Sequence, residues 1–251
     1  MTVGALPPAA LRLASALFLV SAWQLAAFGW QSPLLPSPFA VLSMAWTDTT
    51  DGPLLHHLGA TLRRVVLSFG IAMLLGSAIG MIMGRFRKAD LLLDPWLILF
   101  LNIPALVVIV LSYVWFGLRE SAAILAIAVN KTPNVVVTLR EGTRTLDRDY
   151  LEMAASFRLG RRKTLFYVIL PQLLPYFAVA ARNGLSLTWK IVLVVELLGR
   201  SDGIGFQLNL FFQLFDVTGI LAYSLAFILV ILGIEYAFLQ PLERVTNRWR
   251  K

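Results

Sequence analysis

The sequence predicts an all-α polytopic membrane protein with six transmembrane helices. Its 251 residues are 58% hydrophobic, with a mean hydropathy of +0.76. Only 14% are charged, where a soluble domain carries roughly a quarter. Such a chain cannot build a polar skin around a core, so lipid is the natural solvent for much of its surface. Six segments are also apolar over about 20 residues each, the length that crosses a bilayer as a helix. The cations fall on alternate loops between those segments, as the positive-inside bias requires.

The first span is read at 11–30. It is not expected to be a signal peptide. No basic run precedes Pro7 and Pro8, and the apolar stretch is too long and ends in Trp30 rather than a small-residue cleavage site. An exterior loop follows over 31–60, with Pro33, Pro36, Pro38 and a short amphipathic piece at 39–46. The second span covers 65–83. Ala72, Gly76, Gly80 and Gly84 recur there at four-residue spacing, a stripe that lets another helix approach closely. It reads either as a seam at a translocation core or as ordinary helix packing. The third span, 91–116, carries Pro104 near its middle and is expected to kink or unwind there. The fourth covers 121–138, the fifth 175–198 with internal charges, and the sixth 219–239.

Orientation follows from lysine and arginine. Arg85, Arg87 and Lys88 share a side with Arg140, Arg144, Arg148, Arg158, Arg161, Arg162 and Lys163, and with Arg244, Arg248, Arg250 and Lys251. The opposite side holds Arg119 and Arg200, with Arg63 and Arg64 at the mouth of the second span. Both termini are therefore expected in the cytoplasm.

Composition removes several classes. There is no cysteine, so thiolate metal sites, Fe–S clusters and Cys nucleophiles are excluded. The net charge of +8 is accounted for by the membrane loops, and no soluble face gathers it for nucleic acid. His56 and His57 are adjacent rather than at ligand spacing, so they read as surface histidines and no metal site is expected. A membrane enzyme would need a nucleophile–base set or metal ligands, and no such set is present. A scaffold that transports nothing stays open.

The segment between the fourth and fifth spans carries the most information. Tyr150, Met153, Phe157, Leu165 and Phe166 fall near helical spacing with a basic face between them. This describes a short amphipathic helix, a turn around Gly160, and a second helix entering the membrane near Pro171. By composition alone it could rest on anionic lipid.

Its order is more specific. Glu152, then Ala154 and Ala155, then a break, then Leu170 and Pro171, resembles the EAA loop of ABC importer permeases. The resemblance extends over Leu35–Pro38, Thr61–Arg64, Ile103 and Pro104, Trp115–Gly117, Gly184–Trp189 with Glu196, and Leu242 to Arg250. These segments resemble the nitrate, sulfonate and taurine subgroup, which also includes permeases for thiamine-precursor pyrimidines. The match departs at Met153, where alanine is usual, and at Val107 and Val110, where Ala and a second Pro are usual. The loop glycine of the family falls on Arg158, and Gly160 lies two residues on, which suggests a displaced turn.

The resemblance implies a type I importer (MetI-like) architecture. One permease domain would occupy 1–251, with core spans over 61–240 and a coupling loop at 140–171. It implies a bacterial inner-membrane location. It also implies that Glu152, Met153, Ala154, Ala155, Ser156, Phe157, Arg158, Leu159 and Gly160 contact a cytoplasmic ABC ATPase. A periplasmic or lipid-anchored solute-binding protein would deliver substrate, and a second permease copy would complete the path. The chain has no GxxxxGK[ST] loop, so ATP and Mg²⁺ are expected on the partner. A small anion such as nitrate, a sulfonate or taurine fits this subgroup, and a neutral pyrimidine fits it too.

Polar groups at membrane depth are the candidates for the path. Lys190 either attracts an anion there or pairs with an acid on another helix, and Glu196 lies in the path or near the exterior interface. Asn130 and Lys131, beside Pro133, line a kinked path or bond between helices. Asn102 and Pro104 form a gate or a plain kink. Trp189 stacks on a solute or packs. Arg182 lies nearer the cytoplasmic side, where it could snorkel.

Overall fold

The computed structural model describes residues 8–30 and 32–239, and every element among them is helical. Helix α1 (Pro8–Trp30) is followed by α2 (Pro38–Thr50), the expected amphipathic exterior piece. Ser37 starts α2 by accepting the Ala40 amide at 3.2 Å, with Pro38 in the first turn, where its missing N–H is not needed. Then come α3 (Leu54–Arg85), α4 (Arg87–Asn102), α5 (Ala105–Phe116) and α6 (Glu120–Arg144). The segment between α6 and the next span holds α7 (Arg148–Ser156) and α8 (Arg161–Thr164). A π turn over Leu165–Ile169 leads from α8 into α9 (Leu170–Gly199). Helices α10 (Ile204–Gln213) and α11 (Val217–Ile234) follow, with a second π turn over Glu235–Leu239.

Five helices are long and apolar enough to cross a membrane, or six if the bent pair α4–α5 counts as one span. That pair is the expected third span. Of the two expectations at Pro104, unwinding is what occurs: residues 91–116 form two helices meeting at 97° rather than one kinked helix. Pro104 cannot donate its backbone N–H, and it adopts φ −58°, ψ 135°, which breaks the helix.

The second span also differs from its expected bounds, because α3 begins at Leu54 rather than 65. The hydropathy signal stops at Arg63 and Arg64, but Arg64 is neutralised by neighbouring carboxylates and so stays inside the helix bundle. Helix α10, in the loop before the sixth span, was not expected. In the segment before the fifth span, the second helix begins at Arg161, directly after the expected turn around Gly160.

Helices α3, α6 and α9 form the centre. The small-residue stripe of α3 is a seam against α6. A methyl group on Gly76 would lie 2.6 Å from Val135 Cβ, and one on Gly80 would lie 2.7 Å from the Val136 carbonyl oxygen. Only glycine allows the two backbones this approach. The outer core gathers Val65, Ile109, Ile127, Trp189, Val192 and Tyr223, and an inner cluster gathers Val135, Leu139, Leu173 and Ala180. Many large apolar side chains of α1, α4 and α5 face outward, among them Phe18, Phe28, Leu92 and Trp115. That is the expected arrangement for surfaces facing lipid.

Charge sits at the two ends of this bundle. At one end Arg140 pairs with Asp94, and Arg144 with Asp90. At the other, Arg63, Arg64 and Arg200 meet Glu120, Glu196 and Asp202. Arg244, Arg248, Arg250, Lys251 and the Leu242-to-Arg250 resemblance lie outside the described residues.

Candidate functional site

Helix α7 opens at Asp147, whose carboxylate accepts the Asp149 amide at 2.9 Å. The Asp147 amide donates to Gln172 Oε1 of α9 at 3.0 Å, and Thr145 and Tyr176 share a hydrogen bond at 2.7 Å. The approach to α7 is thus tied to the inner part of α9. The helix packs on the π turn that precedes α9, with Ala154 only 1% exposed. Glu152, Met153, Ala155, Ser156, Phe157, Arg158 and Gly160 are exposed, and Leu159 is half-buried. Tyr150, Met153 and Phe157 form an outward apolar stripe at helical spacing.

The turn after α7 is not displaced to Gly160. Arg158 itself adopts the left-handed conformation, with φ 51°, while Gly160 has φ −61° and ψ 155°. The Arg158 amide donates to the Ala155 carbonyl and the Leu159 amide to the Ala154 carbonyl, each at 2.9 Å. These two bonds are the Schellman pattern, which favours glycine at the left-handed position. The site where the loop motif expects glycine therefore keeps glycine's conformation while carrying arginine. The strain is of order 1 kcal/mol.

A cavity of about 500 Å³ opens between α9 and α11. Arg182, Asn183, Ser186 and Lys190 of α9, facing Ser224 and Glu235, supply its polar wall, and Leu193, Phe227 and Ile231 supply apolar wall. Lys190 is exposed, and among the described residues no carboxylate pairs with it. Arg182 lies 3.9 Å from Glu235 across the cavity. Trp189 is buried and stacks edge-to-face on Phe227 at 5.7 Å, so most of its ring packs rather than facing the open space.

The other path candidates separate. Asn102 and Pro104 sit exposed at the α4–α5 corner, with Asn102 Nδ2 donating to the Ile98 carbonyl at 2.7 Å. Asn130 is half-buried, and Lys131 is buried against α9. Glu196 does not line the cavity but lies in a buried cluster at one end of the bundle, which agrees with an interface position rather than one beside the cavity. It has no exposed side-chain area and pairs with equally buried Arg64 at 2.7 Å. It also accepts from Thr61 and from the Gly205 amide, each at 2.9 Å.

Sequence reasoning missed this outer cluster. Arg64 also reaches Glu120 at 2.9 Å, the Asp202 carboxylate and the Asp202 carbonyl. His57, expected at the surface, is buried: Nδ1 accepts the Gly203 amide at 3.0 Å, and Nε2 meets the Gln207 amide at 2.6 Å. Gly203, at φ 108°, carries the loop over Glu196, where a β-carbon would strike the carboxylate. The available signal was the spacing of His57, Thr61 and Arg64, which puts three polar groups on one helical face.

Residues 72–240 match the family model described as binding-protein-dependent transport system inner membrane component. This chain belongs to that family. A permease of Escherichia coli K12 named for aliphatic sulfonate transport is 34% identical over 92% of this chain and 88% of its own length. The taurine transport system permease of the same strain is 30% identical over 93% and 87%. A formylaminopyrimidine transport permease of Halalkalibacterium halodurans is 26% identical over 94% of each. The fold is similar to that of a solved chain of the methionine ABC transporter MetNI in inward facing conformations. Its TM-score is 0.69 at 16% identity, covering 80% of this chain and 99% of that one. The chain is therefore a multi-pass transport component of the ABC importer class rather than an enzyme, with sulfonate and taurine permeases among its relatives. The permease shares the helical architecture of type I importers.

Proposed function

We propose that this permease imports a small sulfonate, driven by ATP hydrolysed on a partner. The observation that carries the anion reading is Lys190, an unpaired cation among the described residues, exposed in a cavity of about 500 Å³ at membrane depth. Cations there serve a solute or a partner charge. The apolar part of the wall suits the short carbon chain of an alkanesulfonate, and the sulfonate permeases among the relatives support that choice.

Two copies form the path in this reading, with both termini in the cytoplasm. The exposed face from Glu152 to Gly160 docks in a cleft of the ATPase, and Met153 and Phe157 supply apolar anchors. Its links to α9 through Gln172 and Tyr176 carry the movement of the ATPase into the spans. A solute-binding protein delivers at the opposite end, and rocking of the helices alternates access.

Growth tests this. A host lacking its own sulfonate importers receives the permease with its cognate ATPase and binding protein, and ethanesulfonate is the sole sulfur source. Growth that requires all three proteins is expected. Absence of growth on ethanesulfonate and taurine, with uptake of a neutral pyrimidine instead, overturns the anion reading.

A further inference from the structure

Lys131 belongs to no ion pair described above. It lies near the middle of α6, and its neighbours Phe69 and Gly184 lie near the middles of α3 and α9. These are the three helices of the bundle centre, so Lys131 sits close to the midplane of the membrane. Its residue exposure is 1%. Among the described residues no acid pairs with it. The acids of the core helices stand elsewhere, with Glu120 and Glu196 at the outer end and Glu141 at the inner end.

The chain makes room for this lysine. A β-carbon on Gly184 would lie 2.9 Å from Lys131 Cε and 3.6 Å from its Nζ, and 3.0 Å from Phe69 Cε2. Glycine at 184 is what lets the side chain run along the α9 backbone. A methionine or leucine would fill such a slot without the penalty of burying a charge. An ionisable group kept at this depth without a partner points to function.

We infer that Lys131 sets the charge selectivity of the path, acting through α9 by its field rather than by contact. The inference rests on the anion reading above and adds a second, hidden determinant to it. Lys131 of α6 packs on one face of α9 at Gly184, and the cavity residues Asn183 and Ser186 stand on another face of the same stretch. One helix diameter is about 10 Å. At that distance, with an effective dielectric of about 20, one unit charge changes the relative stability of another by roughly tenfold. An anion crossing the midplane is favoured by this field, and a solute of zero net charge is not.

The test uses proteoliposomes holding the permease with its cognate ATPase and binding protein. Ethanesulfonate carries one negative charge, and taurine is a zwitterion of similar size. Uptake of each is measured at saturation for wild type and Lys131→Met, beside thermal unfolding of each purified complex. The inference expects Lys131→Met to melt no lower than wild type, while its ethanesulfonate-to-taurine ratio falls about tenfold. A folded variant with an unchanged ratio overturns it, since a merely structural lysine would leave charge preference alone. If the methionine variant does not fold, Lys131→Gln is measured in its place: a fallen ratio supports the inference and an unchanged one overturns it. Wild type that carries neither sulfonate removes the anion reading and the role of Lys131 with it, and that result is distinct from an unchanged ratio.

Discussion

Arg64 Nη1 lies 2.7 Å from Glu196 Oε1, and neither side chain has any exposed area. The pair joins α3 to α9 at the outer end of the bundle. Glu120 and Asp202 complete the arginine's partners, bringing in α6 and the 200–203 loop. Replacing one member leaves the other buried without its partner, which commonly costs about 3–5 kcal/mol. Arg64→Met should therefore unfold well below wild type in detergent. The double variant Arg64→Met with Glu196→Met should recover part of the loss. A double variant no better than the single one would show that the ion pair is not what fails.

The same cluster fixes a pH dependence. Burial raises the Asp202 carboxyl, but its hydrogen bond to Arg64 and the nearby positive charges outweigh this and hold it below its ordinary value of 3.8. Since the folded value lies below the unfolded one, the stabilisation is fully present above about pH 4 and fades as pH falls through the folded value. The melting temperature should fall in that acid range, and that of Asp202→Asn should fall less there.

Arg158 occupies a left-handed turn at φ 51°. Glycine removes the steric penalty, so Arg158→Gly should stabilise the α7 turn by about 1 kcal/mol. Valine at the same place should destabilise it. Hydrogen exchange of the Leu159 amide, which closes the turn, reads both effects.

Two glycines of α3 make a matched comparison. Gly70 has open space around it, while a β-carbon on Gly80 meets the Val136 carbonyl oxygen at 2.7 Å and Leu139 Cβ at 2.9 Å. Gly70→Ala should be neutral or stabilise by up to about 1 kcal/mol through helix propensity. Gly80→Ala should destabilise by about 1–3 kcal/mol, because α3 and α6 must move apart. Equal melting temperatures would count against the seam.

Lys190→Met should insert and fold like wild type, since its side chain is exposed and carries no ion pair among the described residues. Ethanesulfonate uptake should fall roughly tenfold, equivalent to about 1.4 kcal/mol. Unchanged uptake would remove Lys190 from the path.

Span number, the α3 glycine seam and the short helix before Gly160 were all legible, because each depends on local periodicity or residue size. The outer cluster was not. Arg64 at the edge of an apolar run looks like a loop cation, and only tertiary structure brings Glu120, Glu196 and Asp202 to it. Glu196 stayed open between the path and an interface position for the same reason. Pro104 marked the break in the third span, but a proline alone does not fix a 97° bend. At Arg158 the departure from the loop motif suggested a shifted turn. The backbone instead kept the turn and accepted the strain, because the carbonyls of Ala154 and Ala155 still need donors.

In the proposed mechanism α7 couples these spans to an ATPase. That coupling is tested most directly by ATP hydrolysis in the reconstituted complex, with and without the binding protein. Wild type should show hydrolysis stimulated by the loaded binding protein. Glu152→Lys with Ala155→Trp, placed on the exposed face of α7, should abolish both stimulation and ATPase capture while leaving the permease folded. Full stimulation in that double variant would contradict the account.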